Sequence, residues 1–155
     1  MQDGAELADR AIALNANLSG AWNARGIISV VLGDPERALD AFANAMRLNP
    51  MDKVAVPFSL FGIAAACSML GKYEEGVASA RKMLVLQPND IRGLFVLTCN
   101  TYLSGQLAEA EAAAAQIKQY HPHLRSSHFR QLFCVQPPDD MAAVERTIAF
   151  IGLPE

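Results

Sequence analysis

Three glycines each stand 17 residues ahead of a proline: Gly33 before Pro50, Gly71 before Pro88 and Gly105 before Pro122. Both sets advance along the chain by the same steps, 38 residues and then 34. The text between them repeats as well, as LGDPERALDAFANAMRLNP, LGKYEEGVASARKMLVLQP and SGQLAEAEAAAAQIKQYHP. Each block reads as a turn, a helix and a proline stop. A repeat of this period constrains the fold more than any single motif does, because one unit cannot bury its apolar face alone and must stack on its neighbours. The glycines are expected to end the first helix of each pair, where a left-handed residue is cheapest for glycine. The prolines are expected to end the second helix and to hold the preceding residue extended. Composition points the same way: 26 of the 155 residues are alanine and only 7% are aromatic, which suits closely packed helices.

These blocks resemble the tetratricopeptide repeat, a 34-residue pair of antiparallel helices with small and large residues at fixed positions. With Ser19 as the first residue of a unit, Trp22 falls on the motif's aromatic position, Gly26 and Ala38 on its small positions and Phe42 on its second aromatic, followed by Ala45 and Pro50. Arg25 and Ser29 depart from the usual Leu and Tyr, which predicts a looser first helix. The second unit keeps Gly71, Tyr73 and Pro88, with Leu60 for the aromatic and Gly76 for the usual Ala. The third keeps Leu97, Gly105, Ala110 and Pro122, with Leu94 at the aromatic position and Ala114 where Phe is usual. The resemblance implies an all-α fold, a right-handed α-solenoid of antiparallel helix pairs with a C-terminal capping helix. The expected organisation is a single domain over 1–155: the second helix of a truncated repeat in 1–18, repeats in 19–52, 53–90 (with a four-residue insertion, Lys53 to Val56) and 91–124, and capping helices in 125–155.

Both ends sharpen that division. Leu14-Asn15-Ala16 echoes Leu48-Asn49-Pro50 one period later, so Asp3 to Leu14 reads as a second helix without its first, and the chain is expected to be a fragment of a longer protein. After Pro122 the pattern decays: His123 to Phe133 forms one short helix, Pro137-Pro138 breaks it, and Asp140 caps a last helix from Met141 to Ile151. Val144, Ile148 and Ile151 lie on one stripe of that helix, as a cap for the last repeat requires. The insertion, the segment PFSLFGIAAACSMLGKYEEGVASARKML and the closing IAFIGLPE give a narrower resemblance, to the C-terminal repeat region of bacterial signalling proteins that carry a class III adenylate or guanylate cyclase domain or, in other members, a winged-helix DNA-binding domain. That implies architecture only, since a cyclase's metal-binding aspartates would lie upstream.

Charge and motif content exclude several classes. Thirteen basic against 16 acidic residues give a formal charge of -3, which offers no net positive field for a nucleic-acid backbone. No phosphate-cradling glycine loop is present; Gly71-Lys72 lacks the upstream glycine, at Ala66, and the hydroxyl residue, at Tyr73. His121, His123, His128 and Cys134 cluster in sequence without a common zinc spacing, so no metal or other cofactor is expected. Glu74-Glu75 and Asp139-Asp140 read as helix-start charges. Cys67, Cys99 and Cys134 lie apart, with no CxxC pair, and Cys67 and Cys99 read as small hydrophobes; this favours a reducing, cytoplasmic setting. The 18 uncharged residues from Val54 to Gly71 reach the length of a membrane span, but Pro57, Ser59, Gly62 and Ser68 and the repeat register make them a buried helix. No catalytic residue is identified.

In this family the first helix of each pair lines an inner groove through the second, fifth, ninth and twelfth residues of the unit. The resemblance places Gly20, Asn23, Ile27 and Val30 there, then Phe58, Phe61, Ala65 and Ser68, then Arg92, Phe95, Cys99 and Tyr102. Members that clamp a terminal carboxylate use Lys, Asn and Arg at the fifth and ninth positions, and only Asn23 survives of that set. An apolar groove with one cation, Arg92, suits a partner protein or peptide with an apolar or amphipathic segment, or another domain of the same chain. The insertion leaves a second alternative open, in which the phenylalanines rotate into the core. The expected function is a non-catalytic protein-interaction scaffold, with no enzymatic activity in this segment even if the parent protein is a cyclase. The alternatives are homo-oligomerisation, with a homodimer formed through the first helix and the groove, and a small-ligand or enzymatic site, for which convergent polar groups are too few.

Overall fold

The computed structural model describes the backbone of residues 2–133 and 138–155, and side chains for 3–130 and 141–155. Within them the chain runs through α1 (Gln2–Leu14), α2 (Ser19–Val31), α3 (Pro35–Leu48), α4 (Ala55–Met69), α5 (Tyr73–Leu86), α6 (Ile91–Leu103), α7 (Leu107–Tyr120), α8 (Ser126–Phe133) and α9 (Pro138–Ile151), with no strand among the described residues. Helices α2 and α3, α4 and α5, and α6 and α7 form antiparallel pairs, and each pair stacks on the next.

The turn inside each pair is built identically. Gly33, Gly71 and Gly105 have φ of 74°, 69° and 81°, in the left-handed region. The residue after each glycine donates its backbone N–H back over the turn: Asp34 to Ser29 at 2.9 Å, Lys72 to Cys67 at 2.9 Å and Gln106 to Thr101 at 2.8 Å. These bonds satisfy carbonyls that the helix end leaves without partners. At the other edge α3, α5 and α7 stop at Leu48, Leu86 and Tyr120, two residues before a proline. The residues in between, Asn49, Gln87 and His121, have φ of -140°, -138° and -129°, as a following proline demands.

Packing between pairs depends on small residues placed against large ones. Phe42 is 1% exposed, and its ring fills the space beside both Gly26 on α2 and Gly62 on α4. A Cβ on Gly26 would stand 2.7 Å from the ring, and one on Gly62 closer still. Two departures from the repeat pattern have the same kind of cause. Gly76, where the family has Ala, lies against the Asn100 side chain, which is fully buried on α6 and whose Nδ2 donates to the Val96 carbonyl at 2.8 Å and the Ala64 carbonyl at 3.2 Å. Arg25 and Ser29 do not loosen α2. Arg25 is 6% exposed, donates from Nε to Asp9 Oδ1 on α1 at 2.7 Å and from Nη1 to Ser29 Oγ at 2.9 Å, and so ties α1 to the first pair.

The insertion extends a turn and a helix. Asp52 Oδ1 accepts the backbone N–H of Val54 at 2.9 Å and of Ala55 at 2.8 Å, and α4 starts two residues ahead of the repeat boundary without changing the register at its end. The Ala55 and Val54 amides hold the Asp52 carboxyl below the usual carboxylate range. α4 is 15 residues long, and no helix among the described residues is long and apolar enough to cross a membrane.

The C-terminal segment differs in detail from the sequence expectation. α8 starts at Ser126, leaving His123 in the preceding turn, and α9 starts at Pro138, three residues before the expected Met141. Proline is well suited to a first helical position, because its missing N–H would have no partner there. Cys134 and Pro137 lie outside the described residues, as do the side chains of Asp139 and Asp140. Val144, Ile148 and Ile151 of α9 join Ile117 of α7, Phe95 of α6 and Phe129 of α8 in one buried cluster.

Candidate functional site

The residues expected along the inner groove meet two different fates. On α6, Phe95 is 1% exposed and its ring stacks on Phe129 of α8, with centroids 4.3 Å apart and planes at 25°. Cys99 is buried, its Sγ 3.4 Å from Ser68 Oγ, and Tyr102 stacks on Phe150 of α9 at 4.5 Å. The third repeat's stripe is thus covered by the chain's own last two helices. Phe95 and Cys99 are core residues and line no open groove. Arg92 stands apart: its Nη2 lies 2.7 Å from Asp90 Oδ2, the carboxylate that also caps α6 through the Arg92 N–H at 2.8 Å. Burial pushes the Asp90 carboxyl up, yet the hydrogen bonds and charge of Arg92 outweigh it and hold the group below its ordinary value.

The first two repeats keep their inner face accessible. Ile27 is 39% exposed, and Phe58 and Phe61 are half-buried with rings 6.4 Å apart and tilted by 54°. Asn23 and Ser59 join α2 to α4, the Ser59 hydroxyl donating to Asn23 Oδ1 at 2.6 Å. Val30 is 8% exposed and belongs to the core around Phe42. The rotation of phenylalanines into the core therefore holds for Phe95, while Phe58 and Phe61 sit at the boundary, each packed on a core cluster by one side.

The thiols of Cys67 and Cys99 are buried, and the rings of His121 and His128 are hydrogen-bonded. Burial pushes the Cys67 thiol up to about 11, with a further contribution from Glu75 and an opposing one from Lys72, so it stays protonated at neutral pH. Burial raises Cys99 likewise, against the hydrogen bonds of Ser68 and Thr147. His121 Nε2 lies 2.8 Å from the Asn89 carbonyl, and His128 Nδ1 accepts the Arg125 backbone N–H at 3.0 Å. Among the described residues no three of His, Cys, Asp and Glu are grouped to hold a metal.

Sequence reasoning missed two surface features. An open cleft of about 420 Å³ lies between the α3–α4 turn and the end of α5, lined by the apolar Pro50, Met51, Val56, Val85 and Leu86 and by Asp52 and Lys53, one charge of each sign. A second, of about 360 Å³, lies among α1, α2 and α3 beside Asp9, Trp22 and Arg25. The signal for the first was present as apolar residues at a helix end beside the insertion, where the repeat pattern alone assigns no role.

The repeated pairs, their shared turns and their stacking define an all-α solenoid of the tetratricopeptide type. No family model and no curated protein sequence matches the chain. Solved structures do. The MamA RS-1 ArsTM double mutant aligns over 97% of this chain and 82% of its own, at 17% identity and a TM-score of 0.71. MamA 41-end from Desulfovibrio magneticus RS-1 aligns over the same shares, at 16% identity and a TM-score of 0.71. At such identities the likeness is one of fold.

Proposed function

We propose that this chain is a non-catalytic scaffold that holds an apolar or amphipathic helix of a protein partner against the inner face of its first two repeats. The observation that carries this reading is the accessible row of Ile27, Phe58 and Phe61 on α2 and α4, beside a third repeat whose equivalent row is already filled. Aromatic and aliphatic side chains held on rigid helices present area to a partner helix at small entropic cost. The buried, protonated thiols and the absence of convergent polar groups at that face weigh against an enzymatic reading.

The narrower reading makes this the regulatory or assembly region of a bacterial cyclase-like signalling protein, working in the cytoplasm. Its support is the sequence pattern of the insertion, the second unit and the closing segment. A class III cyclase domain encoded upstream in the same reading frame is the expected finding, and an upstream sequence of any other kind overturns it.

The groove reading is tested by affinity capture from source-cell lysate, with the wild type beside Ile27→Asp/Phe58→Asp. Thermal melts of the two must first coincide within a few degrees. A protein retained by the wild type and lost by the variant supports the reading, and equal retention by both defeats it.

A further inference from the structure

Polar groups scattered along the sequence meet in the cleft of about 360 Å³ among α1, α2 and α3. Asp9 and Ile12 of α1, Trp22 and Arg25 of α2, and Arg37 and Asp40 of α3 stand around it. None of them belongs to the inner row of Ile27, Phe58 and Phe61.

Arg25 is the buried member of this group. Its side chain is 7% exposed, with Nε donating to Asp9 Oδ1 at 2.7 Å and Nη1 to Ser29 Oγ at 2.9 Å. Nη2 has no partner among the described residues and is not sealed from solvent, so its N–H groups open on the cleft that Arg25 lines. The same position holds Ile63 in the second unit and Leu97 in the third, and a buried ion pair adds little over an apolar side chain of similar size. Folding alone therefore does not call for a guanidinium here. Asp9 accepts with both oxygens, the second from Arg37 Nη2 at 3.3 Å, and is spent on holding the two arginines. Asp40 is the reverse case: its carboxylate accepts no hydrogen bond from the described residues.

The lining carries two cations and two carboxylates, so a simple anion or cation meets as much repulsion as attraction. What remains free is a set of donors on Arg25 and Arg37, an acceptor on Asp40, and an apolar wall of Trp22 and Ile12. A hydroxyl group both donates and accepts, and so can join such unlike neighbours without bringing charge. We propose that this cleft binds a neutral sugar, whose hydroxyls bridge Arg25 and Arg37 to Asp40 while its C–H face rests on Trp22. The cleft's volume falls within the range of small-ligand sites, about 300–1,000 Å³.

Trp22 is the chain's one tryptophan, so its emission reports on this cleft directly. The test is a titration of the whole chain with glucose, galactose, mannose and N-acetylglucosamine, followed by that emission. At least one of the four gives a saturable change with half-saturation below about 10 mM. Its affinity is the same at about 0.05 M and about 0.5 M salt, as a neutral ligand requires. Arg25→Leu and Asp40→Ala each weaken it at least about tenfold, through lost hydrogen bonds, with melting temperatures within a few degrees of wild type. Should Arg25→Leu alter the fold, the exposed Asp40→Ala carries the test alone. Ile27→Asp/Phe58→Asp binds the sugar as the wild type does. The absence of a saturable change with all four sugars overturns the proposal. So does equal affinity in the wild type and Asp40→Ala, or displacement of the sugar by sodium acetate or sodium phosphate at equal concentration.

Discussion

The two ends of the solenoid are secured by opposite means. At the C-terminal end, α8 and α9 lay Phe129 and Phe150 on the rings of Phe95 and Tyr102, and Val144, Ile148 and Ile151 complete a dry cluster. The ion pairs there, Arg130 with Glu145 at 2.9 Å and with Glu155 at 2.9 Å, are partly or largely exposed and only fasten the rim. At the N-terminal end, α1 is held on α2 through Asp9, whose carboxylate pairs with buried Arg25 at 2.7 Å and exposed Arg37 at 3.3 Å, while Leu7 and Leu14 remain 66% and 81% exposed. Apolar burial contributes in proportion to area, whereas a pair with one half-exposed partner is weakened by solvent. One end is therefore sealed and the other pinned. The sealed end gives up its inner groove, and the pinned end keeps it.

Cutting into the seal has the largest expected effect. Phe129→Ala removes a ring that is 2% exposed and should cost about 3–5 kcal/mol in urea unfolding, with new binding of a hydrophobic dye as Phe95 is uncovered. A loss below about 1 kcal/mol would show that α8 merely rests on the third repeat and would remove the contrast.

Between the two ends, Gly76→Ala forces a methyl group against Asn100 and should cost about 1–3 kcal/mol. Pairing it with Asn100→Ala should recover part of the loss in a double-mutant cycle, because the crowding group is gone. Additive effects would mean that the two residues act independently.

The pin should be weaker. Asp9→Ala is expected to cost about 1 kcal/mol, less than breaking a wholly buried pair, since the Asp9 side chain is 45% exposed. Arg25→Leu, which restores the family's residue, should be neutral or slightly stabilising, because it removes a buried charge together with its need for a partner. Amide exchange should show α1 opening at lower free energy than α6 or α9, and equal protection at both ends would break the comparison.

The smallest effect concerns acid. The folded Asp90 carboxyl lies below its ordinary value, so its contribution is present above about pH 4 and is lost as pH falls through the folded value. Melting temperature should drop more steeply below about pH 4 in the wild type than in Asp90→Asn. Parallel profiles would show that the Arg92 pair adds nothing to the cap of α6.

Much of this architecture is legible in the sequence because its determinants are local. Gly33, Gly71 and Gly105 reach φ values other residues avoid, and Pro50, Pro88 and Pro122 act on the residue immediately before them, so helix ends can be read within a few positions. Small residues at Gly26 and Ala38 and a large one at Phe42 mark the packing of the first pair for the same reason. The inner face was less legible. Its positions could be counted along each helix, but whether Phe58 or Phe95 meets solvent depends on helices far away in sequence.

The repeat period and the helix ends at the repeated glycines and prolines therefore belong to the sequence alone, since each follows from backbone preferences within one unit. Tertiary structure decided the rest: that α8 and α9 fold back over α6, that Asp9 makes a buried arginine tolerable 16 residues later, and that Asn100 requires a glycine at 76. Those outcomes turn on which side chains meet across helices, and spacing along a chain does not specify the partner that fills a given space.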